Sequence, residues 1–135
     1  MIFQEYSYEP LLTVLEDHGD GRVKLTYGRS ADTLQQVFEQ ARWVGEILET
    51  LHKKYPAKHL RLLADLGKLE RVSLDDRSRA TYKEILEREY VGKVAIAGDA
   101  FSYTRVLTLM VMLVLKKAHV KFFFNLAEAK EWIGW

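Results

Sequence analysis

No cysteine occurs among the 135 residues, which excludes a disulfide framework, a thiol nucleophile, an iron–sulfur cluster and any cysteine zinc site. Only two prolines and eight glycines are present. No stretch rich in proline, glycine or serine separates one part of the chain from another, so one domain over residues 1–135 is the economical reading. Charge of one sign is not in excess either. Twenty basic and nineteen acidic side chains leave a net charge of +1, with both signs interspersed, so the electrostatic footprint of a nucleic-acid or anionic-membrane partner is missing. The first residues, "MIFQEYSYEP", lack the cationic segment and apolar stretch of a secretory leader, and the expected compartment is the cytoplasm. A membrane span is lacking too. The most apolar segment, Val106 to Leu115 within "TRVLTLMVMLVLKKAHVKFFFN", is closed by Arg105 and by Lys116 and Lys117. It supplies about half of the roughly 20 apolar residues that cross a bilayer, so it reads as a buried core helix.

Catalytic signatures are equally scarce. There is no Gly-x-Ser-x-Gly elbow, and "GDAFS" and "YGRS" each offer one glycine where a phosphate loop needs several. The four histidines, His18, His52, His59 and His119, show no ligand spacing, so no metal site and no cofactor are expected.

What the chain does have is alternation. "LLTVLED" (Leu11 to Asp17), "HGDG" and "RVKLTYG" (Arg22 to Gly28) read as two strands joined by a glycine-containing turn. Ser30 offers an N-cap for a helix carrying Leu34, Val37, Phe38, Ala41, Gly45, Leu48 and Leu51 at helical spacing, stopped at "YPAKH". A strand at Leu60 to Leu66 follows. A helix opened by Ser73 and Asp76 in capping-box spacing comes next, with Tyr82, Ile85 and Leu86 on one face. Lys93 to Asp99 has the small and branched residues of a buried parallel strand. The apolar segment then reads as a helix over 102–117, Val120 to Phe124 as a strand, and the residues from Asn125 as a last helix with Leu126, Ala129, Trp132 and Ile133. The expected fold is therefore α/β, a β-hairpin followed by alternating units in the order ββαβαβαβα, with a small, mostly parallel sheet and flanking helices. Strands side by side in sequence order would place the crossovers on one face, leaving the other partly covered.

The succession "LRLLADLGKLERVSLDD" and "KVAIAGDAFSYTRVLTLMVMLVLKKAHVKFFFNLAEAKEWI" resembles the SpoIIAA-like proteins of the STAS superfamily, over roughly Arg22 to Ile133. The resemblance is carried by the strand ending in "AIAGD", the apolar helix after it, the edge strand "VKFFF" and the closing "NLAEAKEWI". It implies a compact, generally non-enzymatic α/β domain that acts through its surfaces in bacterial regulatory partner switching. In the anti-sigma-factor antagonists of this superfamily, a serine within an Asp-Ser-Ser-Gly pattern accepts phosphate from a kinase partner. Leu74 and Asp75 of "ERVSLDDRS" occupy approximately that place; Ser73 and Ser78 are nearby, and the glycine is missing. A more distant similarity of architecture, to Sec14-type lipid-binding domains, implies the alternative of a small-ligand or lipid-binding domain whose apolar pocket the 102–117 helix would line.

Ligands and partners of open parallel sheets engage the carboxyl ends of the strands. Those ends carry Gly28 and Arg29, Asp65 to Lys68, and Gly98 to Ser102. The regulatory or partner-binding candidates are thus Asp65, Ser73, Asp75, Ser78, Asp99 and Ser102. Two carboxylates on one edge, Asp65 and Asp99, could do acid–base work or hold a hard cation. In their ordinary roles, Asp99 and Ser102 cap a helix and Asp65 accepts loop N–H groups. Ser73 reads either as a phosphoacceptor at a helix N-terminus or as a capping serine. Phe122 and Phe124 should share one face of their strand while Phe123 takes the other. With Met110 and Val114, Phe122 and Phe124 mark a candidate apolar surface for a ligand or a homodimer.

Overall fold

The computed structural model of the chain describes residues 2–72, 74–99 and 119–135. The expected 102–117 helix, with Ser102, Met110 and Val114, and also Ser73, lies outside the described residues. Among those described, the elements are β1 (Gln4–Tyr8), a 3-10 turn (Glu9–Leu11), β2 (Thr13–Asp17), β3 (Arg22–Thr26), α1 (Leu34–Lys54), β4 (Leu60–Asp65), α2 (Asp76–Glu87), β5 (Val91–Ala97), β6 (Val120–Phe123) and α3 (Leu126–Ile133).

The six strands form one sheet in the order β1-β2-β3-β4-β5-β6. β1 and β2 pair antiparallel, as do β2 and β3, while β3 to β6 are parallel. The α/β class and the alternation agree with the sequence reading. One strand was not foreseen. "QEYSY" adds β1 to the edge, with Tyr6 opposite Leu15 and Tyr8 opposite Thr13. Its residues are mostly exposed, which is why hydrophobic periodicity does not reveal it: an edge strand is held by its backbone ladder, with little side-chain burial.

The β2–β3 turn uses left-handed backbone at three successive residues, Gly19 (φ 82), Asp20 (φ 56) and Gly21 (φ 78). Glycine takes that conformation without a Cβ penalty and aspartate tolerates it better than most residues. A short left-handed link at Leu12 (φ 50) joins the 3-10 turn to β2.

α1 and α2 pack on one face of the sheet. Leu15, Val23, Leu25, Val44, Leu48, Leu51, Leu62, Ile85 and Ile96 form the main core there. The α1 stripe is shifted from the expected one. Val37, Ala41, Val44, Gly45, Leu48 and Leu51 are buried, with Gln40 among them, whereas Leu34 is exposed. Phe38 lies half-buried beneath the Arg77 guanidinium, 4.0 Å from the ring centroid, a cation–π contact that replaces core packing.

α3 packs on the second face, over β4, β5 and β6. Leu63, Ala95, Ala97 and Phe123 meet Ala129 and Ile133 there, and the Phe123 and Trp132 rings lie 5.6 Å apart. Phe122 and Phe124 sit on the opposite side with centroids 5.5 Å apart, as strand alternation predicts. The cover over Phe123 is thus the chain's own last helix. The N-terminal strand lies at the far edge of the sheet. Asn125 caps α3 by accepting from the N–H groups of Ala127 (2.7 Å) and Glu128 (3.3 Å). Gly134 ends it at φ 81, and its carbonyl accepts from Arg61 Nη1 at 3.0 Å, tying α3 to β4.

The cap of α1 differs from expectation. Thr33 holds the N-cap, its hydroxyl accepting from Gln36 N–H at 3.1 Å, while Ser30 does something else (below). Thr33→Ala is therefore expected to cost about 1 kcal/mol in chemical denaturation. Ser30→Ala should leave helix content by circular dichroism unchanged.

Candidate functional site

The carboxyl ends of the parallel strands are aligned. Thr26 is the Cα partner of Asp65, Asp65 of Ala97 and Ala97 of Phe123, so the loops leaving β3, β4 and β5 emerge along one edge. The loop after β3 runs from Tyr27 to Thr33 and the loop after β4 from Leu66 to Asp75. Ser30 joins them. Its hydroxyl accepts from the backbone N–H groups of Glu70 (3.0 Å) and Arg71 (3.1 Å) and donates to the Arg71 carbonyl (3.2 Å). Arg71 Nη2 reaches back to the Ala31 carbonyl at 2.9 Å. One serine thus fastens two loops that are 40 residues apart in sequence.

The surface so formed is charged and accessible. Asp32, Lys68, Glu70 and Arg71 are exposed, and Arg29 is partly so. Asp32 sits between the two arginines, its carboxylate 3.3 Å from Arg29 Nη2 and 4.0 Å from Arg71 Nη2. Arg29 is held by the Pro10 carbonyl at 3.0 Å as well, which anchors the loop to the 3-10 turn. Exposed pairs of this kind add little to stability. Their consequence is that the guanidinium groups are presented in fixed positions.

The residues singled out from sequence take up several roles along this edge. Asp65 is half-buried at the end of β4, and its Oδ1 accepts from Gly67 N–H at 2.9 Å, the loop-fastening role expected of a strand-end aspartate. Asp99 is exposed two residues beyond Ala97. Asp75 is the N-cap of α2, accepting from Ser78 N–H at 2.8 Å. The hydrogen bond from the Ser78 backbone N–H holds its carboxyl below the usual range. Ser78 itself is wholly buried in the first turn of α2. Asp76, read from the sequence as the far end of a capping box, instead carries an ion pair to Arg79. Ser73 and Ser102 fall outside the described residues. Among the described residues, no group of three or more histidine and carboxylate side chains is placed to hold a metal ion.

Behind this edge lies a feature that composition could not show. An apolar cavity of about 130 Å3 opens between the sheet and helices α1 and α2. Its walls include Leu25, Val37, Val44, Leu62, Ala64 and Ile96, and its rim includes Arg29, Ser30 and Arg71. On its wall, the Tyr27 and Tyr82 hydroxyls lie 2.9 Å apart in a single hydrogen bond. Burial pushes the Tyr27 phenol well above its usual value, with the neighbouring Tyr82 adding to the effect, and burial pushes Tyr82 up to about 12. Both hydroxyls therefore remain protonated donors at neutral pH.

A mixed sheet, parallel from β3 to β6, carrying α1 and α2 on one face and α3 on the other, with clasped loops at its carboxyl edge, defines a small α/β domain of STAS type. The chain belongs to the SpoIIAA-like family, whose model matches residues 30–134. Comparison with curated proteins and with solved structures returns no match. Members of this family are generally regulatory modules, not enzymes, and engage protein partners. Among the described residues, no helix is long and apolar enough to cross a membrane.

Proposed function

We propose that this protein is a non-enzymatic regulatory module that binds a partner protein through the carboxyl edge of its sheet and the helix N-termini there, in the manner of anti-sigma-factor antagonists. The observation that carries the reading is the Ser30 clasp. It makes one fixed surface of two loops and presents Arg29, Asp32, Lys68, Glu70 and Arg71 beside the N-terminus of α2. Charges held in place favour a partner of complementary pattern, adding specificity and association rate more than raw affinity. Loops ordered in advance also reduce the entropy lost on docking. A bacterial, cytoplasmic setting fits the same reading, as does a homodimer in which the partner-binding edge stays accessible.

Phosphorylation is the regulatory step this reading invites. Ser78 is enclosed and Asp75 already holds the helix start, so Ser73 is the preferred acceptor in the stretch. Mass spectrometry of protein from its native host should find phosphate on Ser73 and none on Ser78. Phosphate on Ser78 with Ser73 unmodified would reverse that assignment.

Charge reversal at the clasp tests the binding edge. Arg71→Glu is expected to weaken capture of the partner by about tenfold or more. Lys58→Glu at the opposite edge, where Lys58 pairs with Asp20 at 2.8 Å on the surface, should leave capture unchanged. Equal capture by both variants would remove the carboxyl edge as the docking face.

A further inference from the structure

The cavity behind the clasp is too large and too apolar to be ordinary packing. Native interiors contain few voids larger than a water molecule, and water gains little from walls such as Leu25, Val44, Leu62 and Ile96. The volume, about 130 Å3, is close to that of an apolar cavity that admits benzene, about 150 Å3. It is the size of one ring or a short branched chain, well below that of a long acyl chain.

Polarity is confined to particular places. At the rim, Arg29 and Arg71 share one carboxylate, Asp32, and these two arginines are the charged side chains among the described residues that line the cavity. On the wall, one phenol of the Tyr27–Tyr82 pair donates to the other. The accepting phenol keeps its own proton, for which no acceptor occurs among the described residues. An apolar chamber with two guanidinium groups at its opening and a spare O–H donor on its wall suits a ligand of matching polarity: an apolar ring with an anionic end.

We infer that the cavity bounded by the sheet, α1 and α2 is a binding site for a small aromatic carboxylate, its ring between Val44 and Leu62 and its carboxylate at Arg29 and Arg71. The site lies beneath the partner-binding edge and does not depend on it: ligand binding is measured without any partner. Because Arg71 and Ser30 belong to both the rim and the clasp, an occupant also bears on how firmly the two loops are joined.

Titration with benzoate, followed by backbone amide chemical shifts, tests the site, with benzamide as the neutral isostere. Benzoate is expected to shift amides of residues lining the cavity. Benzamide should bind about tenfold more weakly, the difference a charge-assisted contact makes. Ala64→Leu, which fills the chamber from β4, should abolish binding while the spectrum keeps its native dispersion. If that variant fails to fold, Val37→Phe from α1 serves the same purpose. Arg71→Gln should weaken benzoate but not benzamide. The inference is overturned if benzoate gives no saturable shifts at millimolar concentration. It is equally overturned if benzamide binds as well as benzoate, or if a folded cavity-filling variant binds like the unmodified protein.

Discussion

Asp17→Ala is expected to destabilise the protein by about 3 kcal/mol, one of the largest losses available from a single polar side chain. The Asp17 side chain is 1% exposed, at the end of β2, where an unpaired carboxylate would be very costly. It is fully engaged. Lys54 Nζ donates to it at 2.7 Å, the Tyr55 hydroxyl at 3.0 Å and Gly19 N–H at 2.9 Å. One carboxylate thus joins the β2–β3 turn to the last turn of α1, where a cation also complements the helix dipole. Burial by itself would raise its pKa. The bonds from Lys54, Gly19 and Tyr55 outweigh burial and hold it below the usual 3.8.

The pH dependence follows from that sign. A carboxyl whose folded pKa is depressed contributes its full stability above the unfolded value and loses it as pH falls through the folded one. The stability gap between the unmodified protein and Asp17→Asn should be constant near neutrality and should narrow below pH 3.8. Urea unfolding at a series of pH values measures it. A gap that widened on acidification would contradict the assignment.

Gly28→Ala is the second large effect. A Cβ at Gly28 would sit 2.1 Å from the Leu12 carbonyl oxygen and 2.6 Å from the Leu12 Cβ. The obstruction is backbone, which cannot swing aside as a side-chain tip does. Leu12 is itself fixed in left-handed backbone between two wholly buried residues, Leu11 and Thr13. Thr13 further accepts from Gln40 Nε2 of α1 at 2.6 Å. Relief of the clash therefore displaces either the start of β2 or the loop that carries Arg29 and Ser30. A loss of about 3 kcal/mol, or roughly 10 °C in melting temperature, is expected. The amides of Glu70 and Arg71 should lose protection from hydrogen exchange together with those of the 28–33 loop. Thermal unfolding and exchange measure the two effects.

Much of the architecture was legible in the sequence, and the exceptions have physical reasons. Alternating Val23, Leu25 and Tyr27 marked β3, and all three are buried. The branched run ending at Ala97 marked β5, and alternation placed Phe122 and Phe123 on opposite faces. β1 escaped because its residues bury little. Ser30 satisfied the composition rule for an N-cap, yet Thr33 won the role. The two residues between them, Ala31 and Asp32, belong to a loop whose backbone is held by the Ser30 clasp, a long-range arrangement that no local pattern encodes. In the sequence Asp17 reads only as a strand end for the same reason, since its partners Lys54 and Tyr55 are 37 and 38 residues away. The strand-end positions of Asp65 and Asp99 were legible from topology. The cavity was not, because the same residues, Val37, Leu62 and Ile96 among them, read simply as core. Whether apolar side chains meet or leave a space between them depends on the distance between sheet and helices.

The most direct test of the central claim, that the carboxyl edge is where this module binds a regulatory partner, is quantitative affinity capture from its native host with three baits: the unmodified protein, Arg71→Glu and Lys58→Glu. The expected result is a protein retained by the unmodified and Lys58→Glu baits and depleted about tenfold or more on Arg71→Glu, with all three baits equally folded by circular dichroism. A partner depleted on Lys58→Glu and retained on Arg71→Glu would contradict it, placing the interaction at the opposite edge of the sheet.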